Sequence, residues 1–192
     1  MRTVLFFLVI LAAEATAAEL PFDKLVFVKR YTYHSSHFYT DFIDGVGNLG
    51  GNLCLLDLSS GEVTDLLPDM ENGIFGRFDL SFDGRRIVFD WKQAPREGFR
   101  IFEVNVDGSG LRQLTVPPDD EAERIARYDN SSNGGTARMY YHQTDDMHPC
   151  YLPDGGIAFT STRCEYGTLC DAPDHLSTAV LHRIDRNGSN LQ

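Results

Sequence analysis

Side chains that could bind a metal ion gather in three segments, residues 31–44, 140–148 and 164–175. Imidazole, thiolate and carboxylate groups are the usual ligands of zinc and other transition metals. The spacing of these residues matches no standard zinc signature. The alternative to a metal site is that they are ordinary loop residues that hydrogen-bond to backbone and water. If a metal binds, we predict a site that begins with His148 and a carboxylate of Asp145 or Asp146, completed by Cys164 or His175.

The four cysteines fall into two kinds. Cys164 and Cys170 share one predicted loop, and a disulfide between them is the simplest interpretation in an oxidising compartment. Cys54 and Cys150 lie in predicted strands, where a thiol behaves as a small apolar side chain, so we predict that both are buried.

Several catalytic motifs are absent from the sequence or stand in the wrong context. There is no G-x-S-x-G, so a serine-hydrolase triad has no nucleophile, and no C-x-x-C-H for covalent haem attachment. Residues 45–50 match G-x-G-x-x-G, but a strand rather than a helix is predicted to follow. No complete catalytic set is present, and whether the protein is an enzyme stays open.

The elements that would position these residues repeat three times. Leu25-Val26-Phe27, Ile87-Val88-Phe89 and Ile157-Ala158-Phe159 are matching apolar triplets, and each is followed by an alternating strand and a turn of small residues. Two triplets follow a tight Asp-Gly turn. A repeated unit of four short strands without a helix is typical of a β-propeller blade.

We label the strands of a blade A to D from the axis outward. The first blade is predicted to have B, C and D at 24–29, 52–58 and 63–67; the second has A to D at 77–82, 86–91, 100–106 and 111–115; the third has A, B and C at 147–152, 156–161 and 180–185. One short helix, capped by Asp120, is predicted to run to about Tyr128. The predicted fold class is all-β, a propeller fragment of about two and a half to three four-stranded antiparallel blades in an open arc.

The long connections should all leave the blades on one side. Because successive strands alternate in direction, the B–C and D–A connections emerge together, opposite the tight A–B and C–D turns. Function is usually carried by loops on a rigid scaffold, so we predict a contact face there that includes Tyr33, His34 and His37.

The N-terminal residues are predicted to form a signal peptide rather than part of the fold. Arg2 precedes an apolar run, and Ala15-Thr16-Ala17 is an A-x-A cleavage site, which gives a signal peptide at 1–17 and a partial propeller domain at 18–192, truncated at its C-terminus. The mature chain is therefore expected to be periplasmic or otherwise extracytoplasmic, without a membrane span. A net charge of −11 argues against a nucleic-acid surface.

Two groups of residues resemble known families. FDGRRIVF at 82–89 and VDGSGLRQLT at 106–115 resemble the repeats of TolB-type, WD-repeat-like propellers. YTDFIDG at 39–45, GIFGRFD at 73–79 and TDDMHPCYLPDG at 144–155 resemble the middle domain of hydrazine synthase alpha-subunit-like proteins. This resemblance implies a bacterial extracytoplasmic propeller within a longer chain, which in the namesake belongs to a multihaem oxidoreductase complex.

Two functions follow as expectations. The first is an exported scaffold or binding module, whose partners are other blades or domains of the same longer chain, or protein subunits. The alternative is the propeller portion of a larger haem- or metal-dependent oxidoreductase. No cofactor is certain: zinc or another transition metal could bind here, and haem only through regions outside this sequence.

Overall fold

The computed structural model describes residues 20–30, 49–94, 97–129, 143–164 and 178–192. Most of the regular secondary structure in these residues is strand, with one α-helix and one short 3₁₀ helix. The strands are β1 (Lys24–Arg30), β2 (Gly51–Asp57), β3 (Val63–Asp65), β4 (Ile74–Leu80), β5 (Arg86–Lys92), β6 (Arg100–Asn105), β7 (Arg112–Gln113), β8 (Asp146–Tyr151), β9 (Ile157–Ser161) and β10 (Val180–Ile184); the 3₁₀ helix is Pro68–Met70 and α1 is Glu121–Asp129.

The strands form three antiparallel sheets in chain order, β1-β2-β3, β4-β5-β6-β7 and β8-β9-β10, which we call blades 1, 2 and 3. After β10 the chain turns back, and Gln192 exchanges two backbone hydrogen bonds of 2.9 Å with Arg183. In blade 2 the corresponding pair is Glu103 and Arg112. The end of the chain therefore runs beside β10 in blade 3 as β7 runs beside β6 in blade 2. The prediction of an open, all-β set of propeller blades is confirmed.

Alternate residues of the middle blade pack against its two neighbours. Ile87 and Phe89 of β5 join the core shared with blade 1, whereas Val88 joins the core shared with blade 3. A strand covered on both faces reads as a continuous apolar run, which explains the Ile-Val-Phe triplet. The first core contains Leu53, Leu66, Leu67, Met70, Phe75, Ile87, Phe89, Phe102 and Val104; the second contains Val88, Ile101, Leu114, Tyr151, Ile157, Phe159 and Ile184.

The three triplets occupy the same place in their sheets. Phe27 pairs with Cys54, Phe89 with Phe102 and Phe159 with His182, each on the following strand. The contact between blades also repeats. A Cβ added to Gly108 would lie 2.8 Å from the Leu66 carbonyl oxygen of blade 1, and one added to Gly188 would lie 2.6 Å from the Leu114 carbonyl oxygen of blade 2. The same turn thus rests on the same point of the preceding blade twice.

Two sequence predictions need correction. Strand A of blade 2 runs over Ile74–Leu80 rather than 77–82, because the Ser81 hydroxyl donates to Asp83 at 2.6 Å and begins the turn. Cys54 is buried as predicted, but Cys150 is exposed, because it lies beside the buried Tyr151 on the opposite side of β8. Helix α1 lies where it was predicted, directly after Asp120.

The sheets present two sides that differ in their connections. The short turns at 58–62, 81–85, 106–111 and 152–156, with the turn after β10, lie on one side, which we call the turn face. The connections at 31–50, 66–73, 93–99, 114–145 and 162–179 leave from the other side, which we call the connection face.

Candidate functional site: the polar network of the connection face

Asp146 is held by an ion pair at the start of β8. Its side chain is fully buried, and it accepts hydrogen bonds from the Ser161 hydroxyl at 2.7 Å and from Nε and Nη2 of Arg163 at 2.9 and 2.5 Å. Arg163 also donates to the Val116 carbonyl at 2.5 Å. This carboxylate therefore joins β8 to the stems of two long connections.

Asp145 bonds across to blade 2. Its Oδ1 accepts the Phe99 N–H at 2.8 Å, and its own N–H donates to the Thr162 hydroxyl at 2.9 Å. Burial raises the pKa of the Asp145 carboxyl to about 7, against the opposing charge of Lys92. Lys92 is itself buried, with Nζ 5.0 Å from the centre of the Phe99 ring. Asp145 thus titrates near neutral pH inside the seam between blades 2 and 3.

His148 lies in an irregular part of β8. Its φ of 56° is rare for a residue other than glycine, and the pairing of β8 with β9 shifts register between Met147 and Cys150. The His148 N–H donates to Oδ2 of Asp90 at 2.8 Å. Burial, and then the charge of Arg77, lower the pKa of the imidazole. Both effects favour the neutral imidazole, which is the form that binds metals.

Cys164 contacts a histidine that the sequence analysis missed. Its Sγ lies 3.8 Å from Nε2 of His182, and Nδ1 of His182 lies 3.0 Å from the Val180 carbonyl oxygen. Because a carbonyl can only accept, we assign the proton to Nδ1, which leaves the lone pair of Nε2 facing the thiol. His182 occupies the position of Phe102 in blade 2, so aligning the repeats would have marked it as a polar residue in a core position.

Helix α1 is anchored to the same network. Oε1 of Glu121 accepts Nη2 of Arg100 at 2.9 Å and the Thr144 N–H at 2.8 Å. Nη1 of Arg100 donates to the backbone carbonyls of Phe99 and Thr144. These bonds fix the two ends of the 114–145 connection against blade 2.

The predicted ligands are only partly brought together. Asp146 and His148 lie on β8 and Asp145 directly precedes it, but each bonds to different partners, and Cys164 contacts His182 instead. Across the described ranges, no three His, Cys, Asp or Glu side chains form a group that could hold a metal ion. His175, Cys170, Tyr33, His34 and His37 lie outside the described residues, so the metal site, the disulfide and the contact residues stay predictions.

Comparison with known proteins supports the fold. The sequence matches no protein-family model and no curated protein. A structure of oligogalacturonate lyase in complex with manganese is similar to 88% of this chain, over 38% of its own length, with a TM-score of 0.50 and 16% identity. TolB from Agrobacterium tumefaciens is similar over 74% of this chain and 40% of its own, with a TM-score of 0.46 and 22% identity.

Hydrazine synthase of Kuenenia stuttgartiensis is similar over 89% of this chain and 31% of its own, with a TM-score of 0.40 and 15% identity. The chain therefore spans less than half of the length of each of these structures. The likeness to oligogalacturonate lyase is one of fold alone, and it agrees with the β-propeller blades that the sequence predicted. None of the helices in the described part of the chain is long and apolar enough to cross a membrane.

Proposed function

We propose that this chain is a propeller module of an exported protein, and that the module binds its partner through the connection face. The observation that carries this proposal is the one-sided placement of the connections: the turns of the opposite side are all short. Binding residues usually lie on loops that a rigid scaffold positions.

The polar network supports this role because it fixes the stems of the connections. Arg163, Glu121 and Asp145 each bond to backbone groups of another element. A surface held in this way loses less conformational entropy when a partner binds.

Further blades complete the module in this proposal, supplied by the rest of a longer chain or by another subunit. Leu25 is 44% exposed on blade 1, whereas Ile87 and Ile157 at the same position of blades 2 and 3 are fully buried. Leu181 is 76% exposed on the far side of blade 3, whereas its counterpart Ile101 is fully buried. Blades 1 and 3 thus each expose, on their outer side, a position that is covered by a neighbouring blade at the equivalent place in the other blades.

Substitution of Leu181 by glutamate tests this completion. In the chain of 192 residues, Leu181→Glu should change the free energy of unfolding by less than about 0.5 kcal/mol, while Ile101→Glu should prevent folding. In a longer protein that carries the next blade, Leu181→Glu should also be strongly destabilising. A neutral effect there would show that no blade covers this face.

The contact face is tested by immobilising the wild type and two variants as baits and comparing which proteins of an extract each one retains. One replaces residues 165–177 by a Gly-Ser linker of equal length, and the other replaces the turn residues Ser59 and Ser60 by alanine. Both should keep the unfolding transition of the wild type. A partner from an extracytoplasmic extract should be retained by the wild type and the turn variant and lost by the linker variant. Equal retention by all three would contradict the proposal.

A second candidate is the propeller portion of a larger haem- or metal-dependent oxidoreductase whose catalytic groups lie outside this chain, and the contact between Cys164 and His182 supports only the presence of a metal. Two ligands of a tetrahedral zinc ion lie about 3.6 Å apart, close to the 3.8 Å between Sγ and Nε2. Metal analysis of the purified wild type and of the variants His148→Ala and His182→Ala distinguishes a metal site at His148 from one at Cys164 and His182. A metal content that neither variant changes would exclude both.

A further inference from the structure

A cleft of about 580 Å³ lies on the turn face, between blades 2 and 3, away from the connection face. Arg86, Glu103 and Arg112 of blade 2 line one side of it, and Asp185, Arg186 and Asn187 of blade 3 line the other. This volume lies within the range of small-molecule sites.

The acidic groups of the cleft are already engaged with donors of the protein. The buried Glu103 carboxylate accepts the Tyr151 hydroxyl at 2.9 Å, Nη1 of Arg86 at 3.4 Å, and Nε and Nη2 of Arg112 at 3.0 and 2.5 Å. Asp185 accepts Nη1 of Arg183 at 3.1 Å and the Asn190 amide at 2.6 Å. One negative charge is therefore shared by two guanidinium groups on the floor of the cleft.

Arg186 adds a third guanidinium at the rim. Its carbonyl oxygen accepts Nη2 of Arg112 at 2.7 Å, which ties the rim to the floor. Among the described residues its side chain has no hydrogen-bond or ion-pair partner. Three arginines and two carboxylates give the lining a formal charge of +1, in a chain whose net charge is −11.

We propose that this cleft binds the carboxylate group of a small anionic ligand. The planar guanidinium of Arg186 presents paired N–H donors that match a carboxylate, and Glu103 holds the positive charges of Arg86 and Arg112 beside it. An excess of one positive charge favours an anion over a neutral ligand. Because the cleft is open to water and salt, the affinity of a carboxylate alone should be weak, on the order of millimolar.

Titration followed by ¹H–¹⁵N NMR of the full chain tests the proposal. The probes are acetate, acetamide as the neutral isostere, and inorganic phosphate, at an ionic strength held constant with chloride. Acetate should give saturable shifts of the backbone amides of Arg112, Arg186 and Asn187. Acetamide should give none, and phosphate, whose oxygens accept from the same guanidinium donors, should compete with acetate.

Charge variants show whether the cleft is responsible. Arg186→Gln should weaken acetate binding at least fivefold and leave the thermal unfolding transition unchanged, because the side chain is exposed. Arg85→Gln removes an exposed arginine outside the cleft lining and should leave binding unchanged. Absence of saturable shifts, equal binding by Arg186→Gln, or equal weakening by both variants would each overturn the proposal.

Discussion

Both oxygens of the Asp90 carboxylate accept backbone hydrogen bonds, one from Arg77 of the same blade and one from His148 of the next. In an asparagine at this position, the amide NH₂ would replace one of these oxygens and would face a backbone N–H group, donor against donor. We predict that Asp90→Asn lowers the free energy of unfolding by about 1–3 kcal/mol. Urea denaturation measures this, with the exposed Asp69→Asn as the control. A loss no larger than that of the control would contradict the role of Asp90 between blades.

Asp145 predicts how stability depends on pH. Its folded pKa is raised by burial from 3.8 to about 7, so its stabilising contribution is fully present below pH 3.8 and is lost as the pH rises through 7. Asp145→Asn keeps the Oδ1 acceptor for the Phe99 N–H. We therefore expect the variant to gain about 2–3 kcal/mol relative to the wild type between pH 5 and pH 8.

Denaturant unfolding at a series of pH values measures this difference. Asp69→Asn, at an exposed position, should follow the wild-type curve throughout. Parallel curves for Asp145→Asn and the wild type would show that Asp145 does not titrate in this range.

At the scale of elements, Arg163 joins β8 and β9 to the connection that leaves β7. Arg163→Met leaves the buried Asp146 without its ionic partner, and we predict a loss of about 3–5 kcal/mol in unfolding free energy. Asp146→Asn combined with Arg163→Met should recover part of this loss. Arg183→Gln, which breaks a more exposed pair with Asp154, should cost less than about 1 kcal/mol. Equal losses for the two arginines would contradict the assignment.

The packing of one blade on the next is tested by two glycines. Gly155 and Gly188 have φ values of 87° and 84°, so alanine meets similar backbone strain at both. Only Gly188 rests on the preceding blade, at the Leu114 carbonyl. Gly188→Ala should therefore cost about 1–3 kcal/mol more than Gly155→Ala in thermal or urea unfolding. Equal costs would mean that this turn does not pack on blade 2.

For the whole molecule, the repeat could be predicted from local signals. Asp83-Gly84 and Asp154-Gly155 mark turns through a side chain that bonds to the nearby backbone and a glycine with positive φ. These signals lie within the turns themselves, so strand positions followed closely. Strand β4 was misplaced because its entry at Ile74 follows no such turn.

The partners of the buried charges could not be predicted from the sequence. Alternation along a strand shows which side chains face inward, but not which group of another element will meet them. Asp90 bonds to an N–H group far along the chain, in blade 3, and Asp146 bonds to Arg163 beyond the end of β9. The metal-ligand role of Asp145 and Asp146 stays a prediction, and their bonds to other elements are what the sequence did not indicate.

The central claim is that three sheets stack in chain order, each packing on its neighbour. Methyl NOE spectroscopy of the protein in solution tests it most directly. We predict contacts from Leu53 and Leu66 to Ile87 and Val104, and from Ile101 and Leu114 to Ile157 and Ile184. A β-sandwich would instead pack the first sheet on the third. NOEs between Leu53 and Ile157, with none between Leu53 and Ile87, would contradict the propeller arrangement.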